Sequence, residues 1–171
     1  AYICGAPTWG TLIAADDGNG PILGLIDQPV TGERFWGGFG ASSVTRHQET
    51  REIATRPCTT LSRAVLCSTY PEIGTDQERL GFESVRDRVR LTRYGLDCYA
   101  YALVAMGQID LVIEAGLQPY DIQGPMAVVR GAGGIVTNWR GGPAHRGGRV
   151  IAAGDPRVHA EAVELLSRVS D

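Results

Sequence analysis

"EAGLQPYDIQGP", residues 114–125, is the stretch on which the reading of the fold turns. The run before it, "DLVIEA" (110–115), is short and apolar and reads as a buried strand, and the run after it, "MAVVRGAGG" (126–134), reads as a helix closing on glycines. An acid at such a strand-to-helix junction, here Asp121, has two readings. It is a helix N-cap, accepting hydrogen bonds from the free N–H groups of the first turn and gaining from the helix dipole. Or it points into the crevice at the strand's carboxyl end, where open α/β sheets bind ligands and a carboxylate holds a hard cation.

Outward from this junction the alternation continues. "GIVTNW" (134–139) and "RVIAAG" (149–154) are strand-like and flank a glycine-rich loop. Asp155 then caps a last helix, with Pro156 at its first position and Val158, Ala162, Leu165 and Val169 toward the core. On the other side, "DCYAYALVAMG" (97–107) predicts a helix with small and aromatic faces, and "VRLTRYG" (89–95) and "AVLCSTY" (64–70) predict strands. Thr75 and Glu78 form a capping box for a helix on which Leu80, Val85 and Val89 share a face. This pattern predicts a largely parallel or mixed sheet with helices packed on it.

The N-terminal part differs. "WGTLIAA" (9–15), the turn "DDGNG" and "PILGLIDQP" (21–29) predict a hairpin, and "ERFWGGFG" (33–40) predicts a third strand antiparallel to the second. The stretch from Ala41 to Leu61 is polar and poorly periodic and reads as loop with at most a short strand. The fold class is therefore α/β with mixed α+β character: an antiparallel-sheet region over 1–62, then an α/β region over 63–171 that holds Asp121.

Bulk properties set limits on function. A chain of 171 residues with 43% hydrophobic content can bury a core and suits one domain or a piece of a larger one. The 16 basic residues, all Arg, against 19 acidic ones give a net charge of -3, which leaves no broad basic face for a nucleic-acid backbone. No apolar stretch approaches the roughly 18 to 20 residues that span a bilayer, and no signal-peptide pattern opens the chain, so a soluble cytoplasmic protein is expected. Cys4, Cys58, Cys67 and Cys98 lie far apart with no C-x-x-C pair, which argues against a zinc site and gives no reason to expect disulfides. "GAGG" (131–134) follows a helix instead of opening one and is a helix end, not a dinucleotide loop; "GGPAHRGGR" (141–149) reads as an exposed turn. No G-x-S-x-G or paired Cys and His pattern marks a covalent nucleophile.

The joint pattern "RYGLDCYAYALVAMGQIDLVIEAGLQPYD", then "GAGGIVTNWRG", then "RVIAAGDPRVHAEA", strongly resembles the C-terminal half of the inositol monophosphatase family. "RYGLDCYAYAL" looks most like the family's bacterial histidinol-phosphate phosphatases. "GTLIAADDGNGPILGLIDQPVTGERFWG" is similar to the stretch that follows the family's first metal-binding motif, so the resemblance covers nearly the whole chain. It implies a layered α/β sandwich and a Mg²⁺-dependent phosphate monoester hydrolase. The implied substrate is a small phosphorylated metabolite, histidinol phosphate of histidine biosynthesis before others, and the implied assembly is a homodimer. Tyr120-Asp121 stands where the family has a Trp-Asp motif, which makes Asp121 a metal ligand. Glu114 matches the carboxylate that contacts substrate hydroxyl or amino groups. Gly95, Leu96 and Asp97 fall where the family lines the organic end of the pocket, and Arg93 is a further candidate beside them. From the residues alone, Asp97 is equally a helix N-cap and Glu114 a solvated strand end.

The chain also departs from the family. Gly131 stands where the family usually has Glu before Ala-Gly-Gly, and Pro125 is read as falling in the first helical turn, where N–H groups lack internal partners. The family's other metal-binding acids come from a Gly-Glu-Glu motif and an Asp-Pro-Ile-Asp-Gly-Thr motif, and neither is in this sequence. The expectation is an incomplete chain lacking roughly 80 to 90 N-terminal residues. Phosphate monoesters hydrolyse so slowly unaided that several carboxylate-held Mg²⁺ ions are needed to neutralise the phosphate and activate water. Alternatives are inositol monophosphatase or another small phosphate monoesterase, and, in a different class, a non-catalytic binding or assembly module of the same fold.

Overall fold

Tight turns near the N-terminus produce an antiparallel meander in the computed structural model, which describes residues 1–170. Strands β1 (Thr11–Asp16), β2 (Pro21–Gln28), β3 (Glu33–Gly38), β4 (Ala41–Arg46) and β5 (Glu49–Glu52) lie side by side in sequence order. The hairpin and third strand expected from the sequence are present. The stretch from Ala41 onward is a correction, because it supplies β4 and β5 instead of a loop. Its periodicity is hidden by chemistry: β4 buries Ser42 and Ser43, and β5 buries nothing. Ser42 Oγ donates to the Val128 carbonyl at 2.7 Å, so the hydroxyl is satisfied inside the core.

The second sheet is built from β6 (Val65–Ser68), β7 (Leu91–Tyr94), β8 (Leu111–Leu117), β9 (Ile135–Asn138) and β10 (Gly148–Ala153), in the order β7-β6-β8-β10-β9. β6 is parallel to β7 and β8, while β10 is antiparallel to β8 and β9, so the sheet is mixed, as the alternation predicts. Helices α2 (Tyr99–Ala105) and α3 (Pro119–Gly131) lie between the two sheets. Helices α1 (Asp76–Arg86) and α4 (Pro156–Leu166) cover the far face of the second. The alternation of β8 shows how the layers are divided. Leu111 and Ile113 pack with Phe82, Val158 and Leu166, whereas Val112 packs in the cluster of α2 and α3. Glu114, two residues beyond Val112, shares its face and enters the inner layer.

Helix starts follow the local signals. The Thr75 hydroxyl accepts from the Glu78 N–H at 3.3 Å, and Glu78 Oε2 accepts from the Thr75 N–H at 2.6 Å, which completes the capping box of α1. The buried face of α1 carries Gly81, Phe82 and Val85; Leu80 is turned outward and is 63% exposed. On α4 the deepest positions are Val158, Ala162 and Leu166, four residues apart, with Leu165 only partly buried. Asp155 caps α4 through the Arg157 N–H at 2.9 Å, and its other oxygen accepts the Cys58 N–H at 2.9 Å, tying the helix to the segment before β6.

Two details of α3 differ from expectation. The N-cap is Gln118, and Asp121 is the third helical residue, its Oδ2 accepting the Gln118 N–H at 2.7 Å in a capping box. Pro125 is the seventh residue of the helix and lies past the first turn, so its missing N–H leaves the Asp121 carbonyl without the usual donor four residues on. The helix is held here by contact with the first sheet. A methyl group at Gly24 would overlap the Gly124 carbonyl, one at Gly37 would overlap Val128, and one at Gly131 would overlap the Ala41 carbonyl. Gly131 is therefore required here by the neighbouring strand.

Gly24→Ala should lower stability by about 1 to 3 kcal/mol through overpacking against α3. A urea midpoint equal to the parent's would show that the helix does not approach the sheet this closely.

Candidate functional site

The carboxyl ends of the parallel strands β6 and β8 point to the same end of the second sheet, where α2 and α3 begin. A cleft of about 410 Å³ opens there, lined by Thr69, Asp97, Tyr101, Glu114, Leu117 and Asp121 from the α/β part. Tyr2, Trp9, Gly10 and Leu12 close it from the N-terminal segment, and the rings of Tyr2 and Trp9 meet edge to face at 5.1 Å.

Glu114 is only 5% exposed, which corrects the alternative of a solvated strand end. Its Oε1 accepts both the N–H and the hydroxyl of Thr69 at 2.8 Å, and the Ser68 hydroxyl lies 3.4 Å from Oε2. Burial outweighs these bonds and pushes the carboxyl up to about 7, with Asp97 adding to the rise. The group thus changes charge near neutral pH.

Asp97 has the left-handed backbone (φ 47°), two residues after Gly95 at φ 82°, and this turn carries the chain from β7 into α2. It does not cap the helix; the N-cap residue is Cys98, without a side-chain cap bond. The Asp97 carboxylate instead faces the cleft, with the Ala1 nitrogen 3.2 Å from Oδ2. Asp121 has one oxygen on the Gln118 N–H, and its Oδ1 has no hydrogen-bond partner among the described residues. A carboxylate oxygen so placed suits a hard cation in kind. In number the donors fall short, because no three His, Cys, Asp or Glu side chains converge on one point among the described residues.

The cleft thus gathers Asp97, Glu114 and Asp121. It does not gather the rest of the expected set. Arg93 is exposed on β7, its guanidinium bonding the neighbouring Thr92 carbonyl at 3.3 Å. Leu96 packs against the inner core, and Gly95 offers its carbonyl to the Thr8 hydroxyl at 3.2 Å, so both shape the turn without lining the cleft. Thr69 and Tyr101 belong to the site although the sequence reading passes them over. Thr69 follows the β6 strand end, and Tyr101 is the third residue of α2, the helix that begins at the same end of the sheet; those two positions are the signals that would have found them.

The inositol monophosphatase family profile matches residues 1–171. The chloroplastic bifunctional phosphatase IMPL2 of Arabidopsis thaliana is 42% identical, over 97% of this chain and 50% of its own length. The histidinol-phosphatase of Streptomyces coelicolor is 32% identical, over 98% of this chain and 65% of its own. Among solved structures, an inositol monophosphatase from Zymomonas mobilis superposes with a TM-score of 0.91 at 36% identity, covering 97% of this chain and 65% of that one. The chain therefore spans between half and two thirds of the length of these relatives. Matched over all its residues, and sharing the relatives' layered fold, the chain belongs to the inositol monophosphatase family.

Proposed function

We propose that this chain is part of a Mg²⁺-dependent phosphate monoester hydrolase whose substrate is histidinol phosphate. The observation that carries the reading is the grouping of Asp121, with an uncommitted carboxylate oxygen, and the acids Glu114 and Asp97 around one cleft. Asp121 would hold one Mg²⁺. Bound there with its fellow ions, the metal would neutralise phosphate charge and supply an acidified water. The chain's own residues do the rest. The α3 N-terminus orients Asp121 through the Gln118 N–H, and Thr69 orients Glu114. Tyr2, Trp9, Leu12 and Leu117 give the cleft an apolar wall, which suits an imidazole ring better than a polyhydroxyl ring. Glu114 and Asp97 suit the primary ammonium that histidinol carries and inositol lacks. The Streptomyces relative's name, histidinol-phosphatase, supports the same choice.

Two results check the metal assignment. The 171-residue chain should release no phosphate from histidinol phosphate with Mg²⁺ present, because one carboxylate cannot place several ions, whereas the full-length protein should turn over. In the full-length protein Asp121→Asn should lower kcat by orders of magnitude while the unfolding free energy moves by less than about 1 kcal/mol, since Asn still accepts the Gln118 N–H. Retained activity with lost stability would make Asp121 a capping residue alone.

Glu114 gives a prediction with a defined sign. Its folded value of about 7 lies above the ordinary 4.5, so the folded state keeps a proton that the unfolded chain releases. The resulting stability is fully present below pH 4.5 and is lost as pH rises to about 7. Glu114→Gln, which cannot ionise, should therefore be more stable than the parent at pH 8, by up to about 3 kcal/mol, and equal to it at pH 4. Binding runs the other way: the ammonium needs the ionised carboxylate, so KM for histidinol phosphate should fall between pH 6 and pH 8 by about tenfold or more in the parent. In Glu114→Gln that fall should disappear. Denaturant curves and pH-dependent KM values for both proteins decide the matter; parallel pH profiles would separate Glu114 from substrate binding.

A further inference from the structure

Two aromatic side chains of the segment that leads into β1, Tyr2 and Trp9, line the cleft opposite its acids. Both rings are open to a ligand: Tyr2 is 71% exposed and Trp9 is half-buried. They meet at 84° with their centroids 5.1 Å apart, so together they form a corner, one ring as floor and the other as wall. The backbone that carries them is held in place. The Ala1 nitrogen lies 3.2 Å from Asp97 Oδ2, and the Thr8 hydroxyl donates to the Gly95 carbonyl at 3.2 Å, so both ends of the segment are tied to the turn between β7 and α2. Beyond Trp9, Gly10 is pressed against the end of β2 and the start of α2: a methyl group there would come within 2.6 Å of Gln28 Nε2, 2.7 Å of the Asp27 carbonyl oxygen and 2.9 Å of Cys98 Sγ. Trp9 thus stands between two fixed neighbours, and the corner is set before any ligand arrives.

Resting on the histidinol phosphate reading above, we infer that the corner of Tyr2 and Trp9 receives the substrate's imidazole, stacked on one ring and edge-on to the other, and so selects for a flat aromatic side chain. A ring laid on the floor of a right-angled corner points its edge at the wall, so the two arrangements that aromatic rings favour are satisfied at once. A protonated imidazole gains further, because either ring face attracts a cation. A branched aliphatic side chain of similar size fills the same space and offers neither interaction. The placement also matches the substrate's connectivity. Histidinol carries its ammonium and its ring only a short carbon link apart, so their partners must be neighbours, and the turn that holds Asp97 is the one to which the aromatic segment is tied.

The test compares histidinol phosphate with leucinol phosphate, which has the same ammonium and phosphate ester and an aliphatic side chain. In the full-length enzyme, Trp9→Leu keeps the wall apolar and removes its flat face. It should cut the preference for histidinol phosphate, read as the ratio of the two kcat/KM values, by about fivefold, the effect of one aromatic pair. Trp9→Phe, which restores a ring, should hold the ratio within about twofold of the parent's. Tyr2→Leu, at an exposed position that tolerates substitution, should cut the ratio by about threefold and decides the matter alone if Trp9→Leu does not fold. A parallel loss for the two substrates would reduce the rings to cleft walls, and an unaltered ratio in the leucine variants would leave them without a part in selection. A loss in Trp9→Phe equal to that in Trp9→Leu would mean that shape and not the aromatic face is read; each of these overturns the inference. If the parent enzyme releases no phosphate from histidinol phosphate, the substrate reading itself fails and the inference falls with it, a result distinct from an unaltered ratio in the variants.

Discussion

The close approach of α3 to the first sheet is the constraint on which the molecule depends. Gly124, Ala127 and Gly131 on the helix face Gly24, Gly37 and Ser42 on the strands, and at Gly24, Gly37 and Gly131 even a methyl group has no room. Backbone against backbone leaves the helix little freedom to slide or tilt. Its N-terminus is therefore fixed beside the end of β8, and Asp121 is fixed with it. Pro125 would weaken an isolated helix at this point, and here the sheet replaces what the helix loses.

The cleft shows a gradient of environments among like groups. Glu114 is buried and half neutral near pH 7, whereas Asp97 and Asp121 are partly exposed. Concentrating acids in one place is unfavourable for folding, and the fold limits the penalty by letting the most buried of them carry a proton. A cationic ligand reverses the balance, since it is attracted by all three and draws Glu114 into its ionised form. The site is thus arranged to be more comfortable filled than empty, which is characteristic of binding sites rather than of structural ion pairs.

Much of this was legible in the sequence because the relevant signals are local. Asn-Gly and Asp-Gly turns, the Thr75 capping box and the Asp155-Pro156 helix start each fix an element by short-range geometry, and each is present. The misreadings come from tertiary packing. Ser42 and Ser43 look like loop residues until a helix backbone lies against them, and Leu80 looks like core until Phe82 sets the face. In the site, acids announce themselves and Asp97, Glu114 and Asp121 do meet, but Arg93 sits close in sequence and turned away. Thr69 and Tyr101 carry no motif, only their places just past the end of β6 and in the first turn of α2.

The two sheets also impose an order of assembly. Neighbouring strands of the first are joined by short turns and pair with low entropic penalty, whereas β6 must wait for β8, with α1, β7 and α2 intervening. Yet the meander, complete at Glu52, has nothing on its inner face until α2 begins at Tyr99, whose ring meets Phe35, and is covered in full only when α3 follows at Pro119. A nascent chain emerging from the ribosome therefore carries finished hairpins with an uncovered apolar side through the synthesis of the whole intervening segment. Burial comes late and all at once, so the two sheets gain their stability as a single cooperative unit, and the growing chain is most vulnerable to aggregation just before α3 arrives.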